Sequence, residues 1–188
     1  LYAEVLDDTE GALWSYSMIE QNRINQDELP ELRRIVVAVD PAVTNNEQSD
    51  ETGIVVAGVD ATERYYVIDD VSDRMGADTW ARAAVDCYFR YNADRIVAEV
   101  NNGGDLVESV IRTIDGSVPY TAVRASRGKI VRAEPIAALY EQKRVHHVGL
   151  FKDLEDQLCS YTGHQSSKSP DRLDALVWAL TELSSNSG

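Results

Sequence analysis

The sequence predicts an α/β domain in which a mixed β-sheet is covered by helices on both faces. Two observations lead to this prediction. Between residues 34 and 71, three apolar runs rich in β-branched residues are separated by polar segments, which is typical of a strand meander. From residue 77 onward, apolar runs alternate with segments of helical periodicity, as expected when helices connect the strands of a sheet. The length of 188 residues suits one domain.

The first three strands are expected at residues 34–39, 53–59 and 65–71. The first run shows no alternation of apolar and polar residues, as expected for a strand buried on both faces. A polar loop at 41–52 follows it, and a turn at 60–63 separates the second strand from the third. We therefore expect these three strands to be antiparallel neighbours.

The remaining elements alternate between helices and strands. In chain order we expect a helix at 77–91, a strand at 95–100, a helix after Gly104, a strand at about 119–125, a helix after Pro135, a short extended piece at 145–148, a helix at 150–161 and a final helix. The final helix is expected to begin at Ser169 and Pro170, because serine suits the N-cap and proline the first helical position. The predicted sheet therefore has five strands or slightly more.

The formal net charge of −14 is unevenly distributed along the chain. Residues 1–32 contain eight acidic residues and one arginine, whereas residues 124–147 contain six basic residues and two acidic ones. A locally basic strip beside acidic residues is compatible with a protein that holds DNA by its phosphates. A solvated basic face is the alternative interpretation. We predict Arg127, Lys129 and Arg132 as candidate DNA-binding residues.

Other features exclude several classes of protein. No run of 18 apolar residues is present to cross a membrane, and there is no signal peptide pattern. Cys87 and Cys159 lie in apolar helical patterns and are expected to be buried thiols. No zinc-binding spacing of cysteine and histidine occurs. Because the chain begins with Leu1 rather than methionine, we expect it to be a domain of a longer polypeptide.

Three acidic residues stand at the ends of buried elements. Asp40 closes the first strand, Glu99 lies in the apolar fourth strand, and Asp174 lies near the start of the final helix. Burying a carboxylate costs free energy unless a partner or a cation neutralises it. Three such acids from distant parts of the chain predict one shared site for divalent cations, and Mg²⁺ and Mn²⁺ prefer oxygen ligands. Without metal, the pKa of at least one of these carboxyl groups should rise.

The final helix offers a second acid, Asp171. At about 100° per residue, Asp174 lies at the margin of the apolar face, whereas Asp171 lies further outward. Asp171 also occupies the first helical turn, where the helix dipole favours an acid. We therefore predict Asp174 as a metal ligand and keep Asp171 as a second candidate ligand, since the helix dipole alone also explains an acid at that position. Asp50, in the loop after Asp40, is a weaker candidate for the same site.

Four other polar residues are weaker candidates. Asp69 and Asp70 are consecutive on the third strand, so only one of them can face the site. His146 and His147 alternate on a short extended piece, where a surface or core histidine is a simpler interpretation than a catalytic one.

Five short motifs follow one another between residues 33 and 182. They are V-D-P-A at 39–42, D-E-T-G-I-V-V-A-G at 50–58, E-V-N-N-G-G at 99–104, K-I-V-R-A at 129–133 and K-S-P-D-R-L-D-A-L at 168–176. Each motif alone is weak, but in their order and spacing they resemble the nuclease domain of the large terminase subunit of tailed bacteriophages. The resemblance implies an RNase H-like fold in which three acids hold divalent metal ions.

The resemblance also implies a function and a set of partners. Mapped by motif, the catalytic and metal-binding acids are Asp40, Glu99 and Asp174, which would hold two Mg²⁺ or Mn²⁺ ions and cut double-stranded concatemeric DNA. Residues 1–32 resemble the tail from a preceding ATPase domain, and residues 33–185 the nuclease domain. The phosphate-loop motif of that ATPase is absent, so this chain alone should not hydrolyse ATP. The implied partners are double-stranded DNA, the ATPase domain of the same polypeptide, the portal protein and the small terminase subunit, in the host cell cytoplasm and away from membranes.

Three other functions fit parts of the sequence. Another RNase H-like nuclease, such as a Holliday-junction resolvase, a recombinase or a ribonuclease, would share the acids but act on a different substrate. An actin-like or sugar-kinase-like ATPase half also starts with a three-stranded meander and an aspartate. That class needs a glycine-rich phosphate loop, and residues 44–49 contain no glycine. A non-catalytic docking module would leave the acid in the fourth strand unexplained.

Overall fold

The computed structural model describes residues 8–41, 51–99, 104–163 and 170–185. Asp50, which the sequence places near the site, lies outside the described residues, as does Ser169 at the expected start of the final helix. Among the helices that are described, none combines the length and the apolar character that a membrane span requires.

The described residues form six strands and six α-helices. The strands are β1 (Arg34–Asp40), β2 (Gly53–Val59), β3 (Tyr65–Asp70), β4 (Arg95–Glu99), β5 (Tyr120–Val123) and β6 (Val145–His147). The helices are α1 (Tyr16–Glu20), α2 (Ala77–Arg90), α3 (Gly104–Ile114), α4 (Lys129–Glu141), α5 (Lys152–Ser160) and α6 (Asp171–Ser185), with a 3₁₀ turn at Gln26–Glu28. The five predicted strands and five predicted helices are all present, and α1 and the 3₁₀ turn are additional.

The strands form one mixed sheet in the order β5-β4-β1-β2-β3-β6. As predicted, β1, β2 and β3 are antiparallel neighbours. Three pairs are parallel: β4 with β1, β5 with β4, and β6 with β3. The predicted α/β fold with a mixed sheet is confirmed, and the extended piece becomes a sixth strand at one edge.

Helices cover both faces of the sheet, and β1 is buried between them. Alternate residues of β1 face opposite ways, with Val36 and Ala38 in the core beneath α4, α5 and α6, and Val37 and Val39 in the core beneath α2 and α3. The long final helix α6 lies against β1 and β2. Burial of this apolar surface, at roughly 25 cal/mol per Å², is the main favourable contribution to folding.

The start of α4 differs from the sequence prediction. The helix begins at Lys129 rather than after Pro135, so the predicted start was wrong. A proline inside a helix removes one backbone donor, which makes proline a plausible start signal in a sequence. Here the acceptor left without that donor belongs to Val131, which is 43% exposed and can be hydrated.

The start of α6 also differs in detail. The helix begins at Asp171, and the Asp174 amide donates a hydrogen bond to the Pro170 carbonyl at 2.9 Å. Pro170 therefore precedes the first turn as the capping residue, rather than occupying the first helical position as predicted. A proline cap has no side-chain oxygen to accept hydrogen bonds from the amides of this turn.

Residues 8–32, which we call the N-terminal strap, pack against the sheet domain. Trp14 and Ile19 are each 1% exposed and belong to the same core as β1 and α6. The Ile24 amide donates to the His147 carbonyl at 3.0 Å, and Ile24 forms a parallel bridge with Val148 beside β6. The division predicted at residue 32 stays a prediction, but the strap contributes side chains to the core of the residues that follow it.

Candidate active site

Two acidic residues leave the sheet side by side. β1 and β4 are adjacent and parallel, and Val39 is paired with Ala98 in their register. Asp40 and Glu99 are the next residues of the two strands, and both are partly exposed. They therefore emerge together at the carboxyl ends of the strands, which is where open α/β sheets bind ligands.

The first turn of α6 reaches the same edge of the sheet. Asp40 pairs with Gly53 at the start of β2. The carbonyl oxygen of Asp171 lies directly over Gly53, where an added Cβ atom would be only 2.1 Å away from it. This approach is possible because glycine has no side chain. Asp171 and Asp174 are thereby carried to the end of the sheet at which Asp40 lies, and Asp174 is only 6% exposed.

Asp40, Glu99, Asp171 and Asp174, which we call the acidic cluster, repel one another electrostatically. Burial raises the pKa of the Asp40 carboxyl well above its ordinary value. The negative charges of Asp174 and Asp171 raise this pKa further, and Glu99 adds a smaller contribution of the same sign. Lys129 acts in the opposite direction. The rise that the sequence predicted for at least one carboxyl pKa is confirmed at Asp40.

The ammonium group of Lys129 neutralises part of this charge. Lys129 is the first residue of α4, and its Nζ atom lies 3.0 Å from Oδ2 of Asp174. Burial lowers the pKa of Lys129, but attraction to Asp174 and Asp40 outweighs burial and raises this pKa above its ordinary value. A side chain of the protein itself thus supplies positive charge to the acidic cluster.

The acidic cluster has the ligand chemistry of a site for hard divalent cations. Mg²⁺ and Mn²⁺ prefer carboxylate oxygens, and the raised pKa of Asp40 means that added positive charge would be favourable here. Within the described part of the chain, no three histidine, cysteine, aspartate or glutamate side chains already stand at the spacing of metal ligands. The residues fit a divalent cation by the chemistry of their side-chain oxygens.

The three predicted DNA-binding residues lie at or just before the first turn of α4, in different surroundings. Arg127 is exposed to solvent. The Arg132 guanidinium lies 4.5 Å from the ring centroid of Trp178 on α6, and its Nε donates to the Arg127 carbonyl at 3.2 Å. Lys129 is held by Asp174. Two of the three side chains therefore have contacts within the protein as well as access to solvent.

Arg172 is a residue of this region that the sequence reasoning missed. It is only 9% exposed, and its guanidinium lies 2.8 Å from Asp70 and 3.2 Å from Glu51. A signal was present in the sequence, since Arg172 stands one helical turn before the core residue Leu176. A charged residue at such a position requires an acidic partner.

The weaker candidates have structural partners. The Tyr91 hydroxyl donates to Asp69 on one face of the sheet, and only Asp70 turns towards α6, as expected for consecutive strand residues. His147 is fully buried, and its Nδ1 lies 2.9 Å from Glu155, remote in sequence from the acidic cluster. Burial lowers the pKa of His147, which favours the neutral imidazole.

We compared this chain with models of protein families, with curated proteins and with solved structures. The model of the family described as the terminase RNaseH-like domain matches residues 37–183. No curated protein matches the sequence significantly.

Several solved structures share the fold at low sequence identity. The nuclease domain of the large terminase subunit of bacterial virus Sf6 superposes with a TM-score of 0.68 at 13% identity, covering 90% of this chain and 98% of that one. The P22 large terminase nuclease domain gives a TM-score of 0.66 at 12% identity, covering 93% and 94%. The human cytomegalovirus terminase nuclease domain, soaked in manganese with an inhibitor bound, gives 0.65 at 14% identity, covering 91% and 95%.

Proposed function

This chain belongs to the terminase RNase H-like domain family, and from that premise we propose that it is the metal-dependent endonuclease domain of a viral DNA-packaging terminase. It cuts double-stranded concatemeric DNA by hydrolysing phosphodiester bonds. The observation that carries the proposal is the convergence of carboxylates on Asp40, whose pKa is raised by burial and by its acidic neighbours.

Two Mg²⁺ or Mn²⁺ ions are the proposed cofactors. Asp40, Glu99 and Asp174 would hold them, with Asp171 as an additional ligand. When bound, such ions activate water and stabilise the charge that develops on the leaving oxygen of a phosphodiester. Asp40 is the best candidate for a shared ligand, because β1 lies between β4, which carries Glu99, and β2, over which α6 begins. The manganese soak of the cytomegalovirus domain supports this choice of cation.

The protein's own charges prepare the site for a cation. The Lys129 ammonium group lies 3.0 Å from Oδ2 of Asp174 and holds this carboxylate in place. Asp40, with its raised pKa, is more easily protonated than an ordinary aspartate. Binding of a cation favours the ionised carboxylate, so we expect metal binding to release a proton from this site.

The basic residues beside the site are the proposed contacts to DNA. The contact of Lys129 with Asp174 supports a role for Lys129, and for Arg127 and Arg132 beside it in the chain, in holding the phosphates that flank a cleaved bond. Phosphate contacts carry no sequence information, so we expect little base preference. The proposed partners in packaging are the ATPase domain of the same polypeptide, the portal protein and the small terminase subunit, in the host cell cytoplasm.

A plasmid cleavage assay tests this function. The protein is incubated with supercoiled and linear duplex DNA in Mn²⁺, in Mg²⁺ and in EDTA, at low salt because the acidic surface repels DNA. We expect cleavage with either metal and none with EDTA. Asp174→Ala should abolish cleavage, and Asp171→Ala should have a milder effect. Cleavage that persists with chelator would contradict metal dependence, and selective cutting of four-way junctions would favour a resolvase.

A further inference from the structure

The first turn of α6 is held by an ion-pair network centred on Arg172, in which Asp70 is the buried partner. The Arg172 side chain is 11% exposed, and Nη1 lies 2.8 Å from Oδ2 of Asp70 on β3. Nε lies 3.2 Å from Oε2 of Glu51, which comes two residues before Gly53. Nη2 lies 3.9 Å from Oδ2 of Asp153 on α5. One side chain therefore links the start of α6 to three other parts of the fold.

Asp70, the main partner of Arg172, is itself fixed relative to β2. Its side chain is 4% exposed, and its Oδ1 accepts a hydrogen bond from the Ser72 hydroxyl. The same hydroxyl accepts a hydrogen bond from the Ile54 amide at 2.8 Å. The network thus runs from α6 to the residue that follows Gly53, which is the point at which α6 touches the sheet.

The backbone of this turn is held by a side chain from another helix. Oε1 of Gln157 on α5 accepts hydrogen bonds from the amides of Arg172 and Leu173, both at 3.1 Å. The first amides of a helix have no partner within the helix, and Pro170 has no side-chain oxygen to offer them. The position of the first turn therefore depends in part on this tertiary contact with α5.

The position of this turn sets the direction of the two carboxylates of the acidic cluster that α6 carries, those of Asp171 and Asp174. Arg172 is one residue from Asp171 and two from Asp174, so Asp174 projects about 200° around the helix from it. We propose that Arg172, through Asp70, is a positioning residue that sets the rotation of the first turn and so directs Asp171 and Asp174 towards Asp40. This inference rests on the proposed function, in which these carboxylates bind divalent cations.

A purely structural role is the competing explanation, and α6 contains a matched control. At its other end, Glu182 pairs with Arg34 of β1 at 3.5 Å, with the two side chains 11% and 18% exposed. Arg34→Gln breaks a partly buried ion pair of the same helix far from the acidic cluster. Arg172→Gln breaks the ion pair of Arg172 with Asp70, which lies next to the acidic cluster.

The decisive measurement is Mn²⁺ affinity, determined by calorimetry on wild type, Arg172→Gln and Arg34→Gln at a temperature where melts show all three to be folded. We expect Arg172→Gln to weaken Mn²⁺ binding by about 10- to 100-fold, as is typical when a residue that orients metal ligands is removed. Arg34→Gln should leave the affinity close to that of wild type even if it lowers the melting temperature. Arg172→Lys, which keeps the charge, should restore part of the affinity.

Equal Mn²⁺ affinity in Arg172→Gln and Arg34→Gln would overturn the positioning role while leaving the proposed function intact. If Arg172→Gln does not fold, Asp70→Asn replaces it, and the same comparison with Arg34→Gln decides. The proposed function is tested separately by wild type and Asp174→Ala. Absence of Mn²⁺ binding by wild type would overturn the proposed function and this inference with it.

Discussion

Asp40 is the residue at which the charge of the site has its clearest effect on stability. Its pKa is raised on folding, first by burial and then by neighbouring carboxylates. A carboxyl with this shift destabilises the folded state wherever the unfolded chain is ionised. The cost is therefore absent below the unfolded pKa of about 3.9, grows as pH rises from there to the folded pKa, and is constant at higher pH.

We accordingly predict that Asp40→Asn raises the melting temperature of the metal-free protein at pH 7, has little effect at pH 4, and abolishes cleavage. Asparagine keeps the shape of the side chain and removes the charge. Thermal melts at the two pH values, in EDTA, measure the effect on stability. Glu99→Ala should also abolish cleavage without unfolding the protein. A large loss of stability at pH 7 would mean that Asp40 belongs to a structural ion pair.

Arg127 and Arg132 differ in packing, and this difference separates DNA binding from stability. Arg127→Ala should reduce the slope of log affinity for duplex DNA against log salt by about 0.9 and leave the melting temperature unchanged. Arg132→Ala should destabilise the protein by about 0.5–2 kcal/mol, because it removes the contact with Trp178. DNA binding measured at four salt concentrations, together with thermal melts of Arg127→Ala and Arg132→Ala, tests the two predictions. An unchanged slope in Arg127→Ala would exclude a phosphate contact by that residue.

At the residue scale, the sequence identifies side chains that are unusual for their element, and it does not identify their partners. Glu99 was noticeable because an acid inside an apolar strand is rare. The pairing of Lys129 with Asp174 joins residues 45 positions apart. The cap from Gln157 to α6 joins two helices in a way that no periodicity indicates. Contacts of this kind depend on how the helices pack, so a pattern along one chain cannot predict them.

Among the secondary structure elements, the contact between α6 and β2 makes the sharpest prediction. Gly53→Ala should destabilise the protein by about 1–3 kcal/mol and abolish cleavage, because the added Cβ atom would lie 2.1 Å from the Asp171 carbonyl oxygen. α6 would have to move away from the sheet and carry Asp171 and Asp174 with it. Chemical denaturation and the plasmid assay measure the two effects.

Gly76→Ala is the matched control for this substitution. A Cβ atom at Gly76 meets nothing within 4 Å, and the residue precedes α2 on the opposite face of the sheet. Alanine is a poorer N-cap than glycine but restricts the unfolded chain, and these opposing effects should keep the change in stability below about 1 kcal/mol and leave cleavage intact. If the two glycine variants behave alike, the close approach of α6 to β2 is not important for the site.

The elements themselves were predicted well where hydrophobic periodicity is strong. β1, β2 and β3 are apolar runs bounded by polar segments, and each lies where the sequence places it. The helix α4 was placed too late because Pro135 was interpreted as a start signal, although the helix tolerates it at a solvent-accessible turn. The short helix α1 was missed, since five residues are too few to show a period.

For the whole molecule, the strap makes the domain boundary testable. A chain that starts at residue 33 should be less stable than one that starts at residue 8 by more than about 3–5 kcal/mol, which is the usual cost of replacing one buried tryptophan by alanine. The shorter chain lacks Trp14 and Ile19, which both belong to the core. It also lacks Arg23, which donates two hydrogen bonds to Glu155, each 2.7 Å long.

Expression of the two chains and thermal melts of the products compare them directly. Trp14→Ala in the longer chain isolates the contribution of the core contact from that of the strap backbone. Equal melting temperatures for the two chains would show that residues 8–32 are a dispensable linker. The sequence did not predict this packing, because the strap is acidic and offers only one apolar patch, Ala12-Leu13-Trp14.

The residues of the acidic cluster are far apart in the chain, and this affects the stage of synthesis at which the cluster can form. Asp40 and Asp174 are 134 positions apart, and α6 is among the last segments of this sequence to leave a ribosome. Pairing across such distances is slow, because the entropy of closing a long loop must be overcome before any contact forms. A nascent chain therefore carries Asp40 and Glu99 before the helix that brings Asp171 and Asp174 to them, so the proposed nuclease activity would require the finished domain.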